Sequence, residues 1–285
     1  MESTHGMSLG WHRDLPDIRD RTEESVSVNE ILVKSDRLNA VVKKKLPKKV
    51  DLRKWCSPIE DQGSLGSCTA HAGVGLIEYY ERRTTGKHLD ASRLFLYKVT
   101  RQLLGFKGDD GAYLRSTMKA MVLFGVPPEK YWPYKTDKFN EDPDNFCFAF
   151  AQSYKAIQYY RLDPAGRTPA NILAEVKKSL AAELPAMFGF SVYSSIPPIG
   201  EGTGQIPFPG RGDSLDGGHA VIAIGYDDDK KIGSETGALL IRNSWGTQWG
   251  EDGYGWLPYK YVLSGLADDF WTLVKKEFVN TELFN

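Results

Sequence analysis

The residues of this 285-residue chain best suited to covalent chemistry are Gln62, Cys68, His219 and Asn243. Cys68 ends the run Gln62-Gly-Ser-Leu-Gly-Ser-Cys68 and opens Thr-Ala-His71, so a glycine- and serine-rich turn delivers a thiol to the mouth of a helix. Unpaired N–H groups and the positive end of the helix dipole favour thiolate there, and thiols in such settings titrate at about 3.5–7.5 instead of about 8.5. Gln62 carries an amide donor that the turn can fold back beside the sulfur. Taken alone, Cys68 reads equally well as a small buried residue, because free cysteines are among the most buried side chains. Far downstream, the apolar runs His219-Ala-Val-Ile-Ala-Ile-Gly-Tyr226 and Gly237-Ala-Leu-Leu-Ile-Arg-Asn243 flank a polar stretch, 227–236. They read as an antiparallel hairpin, in which the start of the first strand faces the end of the second. His219 then lies beside Asn243, whose carboxamide can accept a hydrogen bond from one imidazole nitrogen and leave the other aimed into a cleft. Separately, a core histidine and a turn asparagine are the plainer readings; their joint position at one hairpin end favours the functional one.

These residues need a scaffold. Ala70, Val74, Ile77 and Tyr80 recur at three- to four-residue spacing and predict a helix over 68–83. Ser92 can cap a second helix to about residue 104. A third, near 113–124, carries Leu114, Met118, Met121 and Val122 on one side and stops at Gly125. These stripes are core, not a cofactor site. From about residue 150 the period becomes strand-like at 153–160 and 184–193, with a helix at 170–182 between them. A loop rich in Pro and Gly is expected over 194–218. It contains Arg211-Gly-Asp213, a tripeptide that chance readily produces.

Residues 1–49 differ in character. They are polar, lack long helical periodicity and end in Lys43-Lys-Lys-Leu-Pro-Lys-Lys49, a solvated, extended linker by composition. Yet Trp11, Leu15, Ile18, Ile31 and Leu32 give this segment enough apolar surface to dock on a folded body, the cleft included.

Whole-chain composition narrows the field. With 36 Lys and Arg against 37 Asp and Glu, the net charge of −1 gives no case for nucleic acid or an anionic membrane as partner. The three cysteines cannot form a disulfide framework; Cys56 and Cys147 are both free or joined in one bridge. The N-terminus does not read as a secretory signal, and no apolar run reaches membrane-spanning length. With no signal evident, the location is left open between the cytoplasm and export by a non-classical route.

Three blocks together resemble the papain-like cysteine peptidases, in particular the branch common in bacteria. They are Asp61-Gln-Gly-Ser-Leu-Gly-Ser-Cys68, Gly217-Gly-His-Ala-Val-Ile-Ala-Ile-Gly-Tyr226 and Arg242-Asn-Ser-Trp-Gly-Thr-Gln-Trp-Gly-Glu-Asp-Gly-Tyr254. The resemblance spans roughly residues 49–276. It implies an α+β, two-lobe fold: a pro-segment or linker at 1–49, a mainly helical lobe at 50–150 with Cys68, and a β-rich lobe at 151–285 with His219 and Asn243. By resemblance, Gln62 serves the oxyanion hole, Cys68 is the nucleophile, His219 the general base and acid, and Asn243 its orienter. Trp245 would shield the His–Asn bond, and Gly218 would border the groove. Gly111 and Ala112 would pair with an extended peptide, while Tyr113 walls the pocket for its second residue.

Leu65, Thr69 and His71 depart from the family's usual residues. Leu65 removes a disulfide of the helical lobe. His71, with Cys68 and His219, could in principle ligate a metal, but no further ligand pattern supports zinc. The expected function is peptide-bond hydrolysis by a monomer that needs no cofactor and is made as a zymogen, its own pro-segment acting as inhibitor. Acyl transfer to an amine and a non-catalytic peptide-binding relative are the rivals; the intact set of four residues argues against the latter.

Overall fold

The computed structural model describes residues 3, 5–34, 45–156 and 158–274. The chain begins with an extended strap in which alternate residues Met7, Leu9 and Trp11 are buried, the two-residue period of a strand laid on a surface. Its β1 (Trp11–His12) leads to α1 (Val26–Lys34). The sequence pattern does not announce α1, because among its described side chains only Val28 and Leu32, one turn apart, are fully buried. In a helix this short, docking supplies what propensity cannot. Part of the Lys43–Lys49 linker lies outside the described residues. Its end forms β2 (Lys49–Asp51), which pairs with the large sheet at Tyr226 and Gly225.

The helical lobe is built on α2 (Cys68–Thr85), buried from Cys68 to Tyr80. It ends at Gly86, whose left-handed φ of 72° lets its N–H close on Arg82 O. α3 (Arg93–Leu104) starts at Ser92, whose Oγ accepts the Phe95 N–H, a cap worth about 1 kcal/mol. After β3 (Ala112–Tyr113), α4 (Leu114–Leu123) buries Leu114, Met118 and Met121 against α2. Gly73 and Gly75 allow α2 to be approached from two sides. A Cβ on Gly73 would stand 3.1 Å from Leu96 Cδ2 of α3, and one on Gly75 would stand 2.6 Å from Ile222 Cδ1 of the opposite lobe. α5 (Asn145–Ala151) completes the lobe.

The second lobe is an antiparallel sheet of seven strands that includes β2. Its other members are β4 (Gln158–Arg161), β5 (Ala186–Tyr193), β6 (Leu215–Ile232), β7 (Glu235–Arg242), β8 (Tyr254–Pro258) and β9 (Ala267–Val274). Their order is β4-β9-β5-β6-β7-β8, with β2 on β6. α6 (Pro169–Ala181) and α7 (Tyr259–Leu263) pack on it. Three expectations shift. The loop expected over 194–218 stops at Ser214, because β6 already begins at Leu215. Residues 152–154 make one tight helical turn, so the strand expected from 153 begins at Gln158. The stretch 227–236 is mostly strand, with Lys231 opposite Thr236 and the turn at Gly233 and Ser234. The α+β, two-lobe architecture is the one expected. Cys56, Cys68 and Cys147 are all free thiols, which resolves the open pairing.

Candidate active site

The seam between α2 and the β6–β7 hairpin brings the four residues together. Ile222 pairs with Arg242, so the hairpin ends place His219 beside Asn243. His219 Nε2 lies 2.7 Å from Asn243 Oδ1. That Oδ1 also accepts the Ser244 N–H at 2.8 Å, which identifies it as the acceptor and puts the imidazole proton on Nε2. Nδ1 of the neutral ring then holds a bare lone pair, and it has no hydrogen-bond partner among the described residues. The Trp245 indole stacks on the imidazole with ring centres 4.2 Å apart, and both His219 and Asn243 are buried.

Gln62 is oriented from both ends of its amide. Oε1 accepts the Ser244 hydroxyl at 2.6 Å, and Nε2 donates to Leu65 O at 2.9 Å and to Ser8 O at 3.1 Å. Ser8 O also lies 3.4 Å from Trp245 Nε1. A peptide carbonyl from the strap thus rests on the amide expected to hold an oxyanion. Asp109, which the sequence did not single out, accepts the Gly66 N–H at 3.0 Å and ties the turn before Cys68 to the helical lobe.

Cys68 and His219 are wholly buried because the strap runs over them. N–H groups of Ala220, Gly10, Thr69 and Cys68 itself face the sulfur, yet burial outweighs them and pushes the thiol up to about 11. Burial also pushes His219 down to about 3, against the pull of its bond to Asn243. The lowered thiol expected from the helix mouth is therefore not found in this covered state; desolvation of the charged form exceeds the dipole's help. His71 bonds to Ser67 O at 3.1 Å and sets its ring against Tyr134. No group of three or more His, Cys, Asp or Glu able to hold a metal occurs among the described residues.

The strap uses the edge expected to receive a peptide. Ala112 N–H donates to Gly10 O at 2.8 Å, and Trp11 and His12 pair in parallel with Ala112 and Tyr113. Gly111 has φ of 72°, and a Cβ there would stand 2.2 Å from Gly10 O; a Cβ on Gly10 would stand 1.9 Å from Gly66 O. Such close approach requires glycine at both positions. Gly218 lies under Trp11, with Tyr113 beside His12 at 5.3 Å between ring centres. Of the strap residues in the groove, the sequence marks only Trp11, for its apolar surface, and does not mark Ser8, Leu9 or Gly10. The alternation of Met7, Leu9 and Trp11 was the available signal.

Comparison with known proteins gives this geometry its lineage. The profile of the papain family cysteine proteases matches residues 46–269. The chain belongs to that family. It is 32% identical over 282 residues to an uncharacterized peptidase C1-like protein, L477, of Acanthamoeba polyphaga mimivirus, covering 95% of this chain and 88% of that protein. It is 31% identical over 221 residues to cathepsin K of Gallus gallus, covering 73% of this chain and 58% of the other, so it matches little more than half of that longer relative. Among solved structures it is similar to xylellain, a cysteine protease from Xylella fastidiosa, at a TM-score of 0.77 and 35% identity, covering 94% of this chain and 96% of that one. The papain-family fold accounts for both lobes and for the helix entering the cleft at Cys68.

Proposed function

We propose that this papain-family protein hydrolyses peptide bonds through Cys68 and His219 by way of an acyl-enzyme, and that residues 1–49 form a pro-segment plugging its cleft. The observation that carries the reading is a peptide carbonyl, Ser8 O, held by Gln62 Nε2 at 3.1 Å, while the N–H of Gly10 two residues on faces the covered thiol. With the strap displaced, water and substrate reach the pair and the desolvation penalty lifts. His219 Nδ1 takes the thiol proton, giving a thiolate–imidazolium pair whose sulfur adds to the scissile carbonyl. The Gln62 amide and the Cys68 N–H then stabilise the oxyanion, a role worth roughly 2.7–4 kcal/mol per donor in a serine-protease case. His219 protonates the leaving amine and afterwards draws a proton from the attacking water, while Asn243 holds the ring in one tautomer.

The test compares the full chain with one beginning at Pro47, using a fluorogenic peptide and an epoxide inhibitor of thiol peptidases. The shorter chain is expected to hydrolyse the peptide faster and to bind one equivalent of inhibitor. Cys68→Ala should abolish both. Equal rates from the two chains would refute the pro-segment, and inhibitor uptake by Cys68→Ala would refute the nucleophile.

A further inference from the structure

In the turn that leads to Cys68, one peptide unit is gripped at both ends. The Leu65 carbonyl accepts an N–H of Gln62 Nε2 at 2.9 Å, and the N–H of the next residue, Gly66, lies 3.0 Å from each oxygen of Asp109. The Gln62 amide is planar and carries two N–H bonds. One goes to Leu65 O and the other reaches Ser8 O at 3.1 Å, while Oε1 takes the Ser244 hydroxyl at 2.6 Å. Where the Leu65–Gly66 peptide stands therefore sets where the second N–H points.

The turn by itself holds that peptide weakly. Its bond from Leu65 N–H to Gln62 O is long, at 3.3 Å. Gly63 has φ of 56°, and glycine at 63 and at 66 leaves the peptide planes between them easy to rotate. No disulfide steadies them, since Leu65 stands in its place and Cys56 and Cys147 are free. The hold comes from α3. Tyr97 donates its hydroxyl to Asp109 Oδ1, and the same hydroxyl oxygen accepts the Gly111 N–H at 3.2 Å. Burial, then the bond to Asp109, push the Tyr97 phenol up, so it stays a donor. Arg101, one turn further along α3, sets its guanidinium 4.5 Å from the centre of the Tyr97 ring and donates to Gly108 O. A continuous chain of bonds thus runs from Gly111 through Tyr97, Asp109 and the Leu65–Gly66 peptide to the Gln62 amide.

This inference rests on the peptidase reading above, and it deepens it. We infer that Asp109 is a positioning residue for the oxyanion donor, acting on Gln62 through the Leu65–Gly66 peptide, with Tyr97 as its brace. A carboxylate holds a backbone N–H roughly twice as strongly as a neutral acceptor does. By polarising the peptide, it also makes Leu65 O the better acceptor for Gln62. When the strap leaves, the N–H now on Ser8 O is released while Leu65 O keeps its own. The free donor then stays aimed where the substrate oxygen becomes charged, and no reorientation is needed at the moment of reaction.

The experiment uses the full chain carrying Trp11→Ala, which removes the indole lying on Gly189 and Gly218 and so loosens the strap. Two reactions of Cys68 are measured in this parent and in each further variant. One is kcat/KM for a fluorogenic peptide, which passes through an oxyanion. The other is alkylation by iodoacetamide, in which the sulfur displaces iodide and no oxyanion forms. Both need the strap displaced, so their ratio cancels the fraction of open chain. Asp109→Ala should lower the ratio at least about tenfold, chiefly through kcat, with alkylation nearly unchanged. Asp109→Asn keeps an acceptor for the Gly66 N–H and should stay within about threefold of the parent. Tyr97→Phe should lower the ratio by about threefold or more. Gln62→Ala should lower it roughly 100-fold by itself, and adding Asp109→Ala should then cost less than about threefold more, because the two act in series. An unchanged ratio in Asp109→Ala, an Asn variant as impaired as the Ala one, or independent losses in the double variant would each overturn the assignment. Thermal melting checks that every variant folds. Should Asp109→Ala not fold, Tyr97→Phe decides, and a parent-like ratio there overturns the inference. A parent that turns over no peptide, although iodoacetamide alkylates Cys68, would sink the peptidase reading itself, and this inference with it.

Discussion

Cys68 and His219 are held neutral by what covers them. The thiol is pushed up to about 11 and the imidazole down to about 3, each chiefly by burial. A thiol is nucleophilic only as thiolate, so in the covered chain Cys68 should resist iodoacetamide up to about pH 8. Once the strap is gone, water solvates the ion pair and Asn243 Oδ1 anchors the protonated ring. Alkylation should then be fast from near pH 5, well below the ordinary thiol range of about 8.5. Mass spectrometry after timed labelling, with Cys56 and Cys147 as internal buried controls, reads the difference. Equal labelling of Cys68 in the full and shortened chains would show that the strap does not control the thiol.

Among the elements, the strap is held most firmly some distance from the thiol. Arg115 of α4 donates to Asp20 at 2.7 and 2.8 Å, to Leu15 O at 2.8 Å and to Asp14. Arg161 of β4 donates to Asp14 O at 2.9 Å, and its N–H to Arg21 O at 2.7 Å. Charge-assisted bonds of this kind contribute about 1.5–3 kcal/mol when buried. Arg115 keeps 26% of its side chain exposed, and Asp20 retains Arg161, so Arg115→Ala should weaken the strap by only about 1–2 kcal/mol. That corresponds to roughly 5- to 30-fold more open chain and as much more basal peptidase activity, with activity after strap removal unchanged. A peptide assay on the two proteins checks both halves of the statement. Legibility in the sequence follows the same division. α2, α3 and α4 announced themselves through a helical stripe, a serine cap and a glycine stop. The His219–Asn243 encounter followed from hairpin pairing alone. The clasp of Arg115 on Asp14 and Asp20, the hold of Asp109 on Gly66 and the docking of α1 join residues far apart in the chain with no local periodicity, so nothing in a window of sequence marks them.

For the molecule as a whole, opening the strap moves a proton within the Cys68–His219 pair and exchanges one with solvent at Asp269. His219 is held at about 3 while covered, chiefly by burial, with Asn243 pulling up and His71 pushing down, and Cys68 is held at about 11. Exposed, the imidazole takes the thiol's proton, so the pair carries one proton in both forms and contributes little pH dependence between about pH 5 and 8. Asp269, whose Oδ2 accepts the Trp11 indole N–H at 3.1 Å, does exchange a proton. Burial holds it at about 7 while Trp11 covers it, against Arg161, and the nearby Asp163 adds to the rise. With water admitted it moves back toward 3.8. As pH falls from 7 toward 3.8 the closed form takes up the proton, and acid favours closure. The onset of activity in the full chain should accordingly fall as pH drops from about 7 to 5, by up to about tenfold for each pH step. Asp269→Asn removes that exchange and keeps an acceptor for the indole. That variant should open to a nearly constant extent across the same range. Stopped-time peptide assays across this range, with thermal melting to verify that the variant folds, separate the outcomes. A steep acid activation of the unmodified chain would mean that groups other than Asp269 govern release.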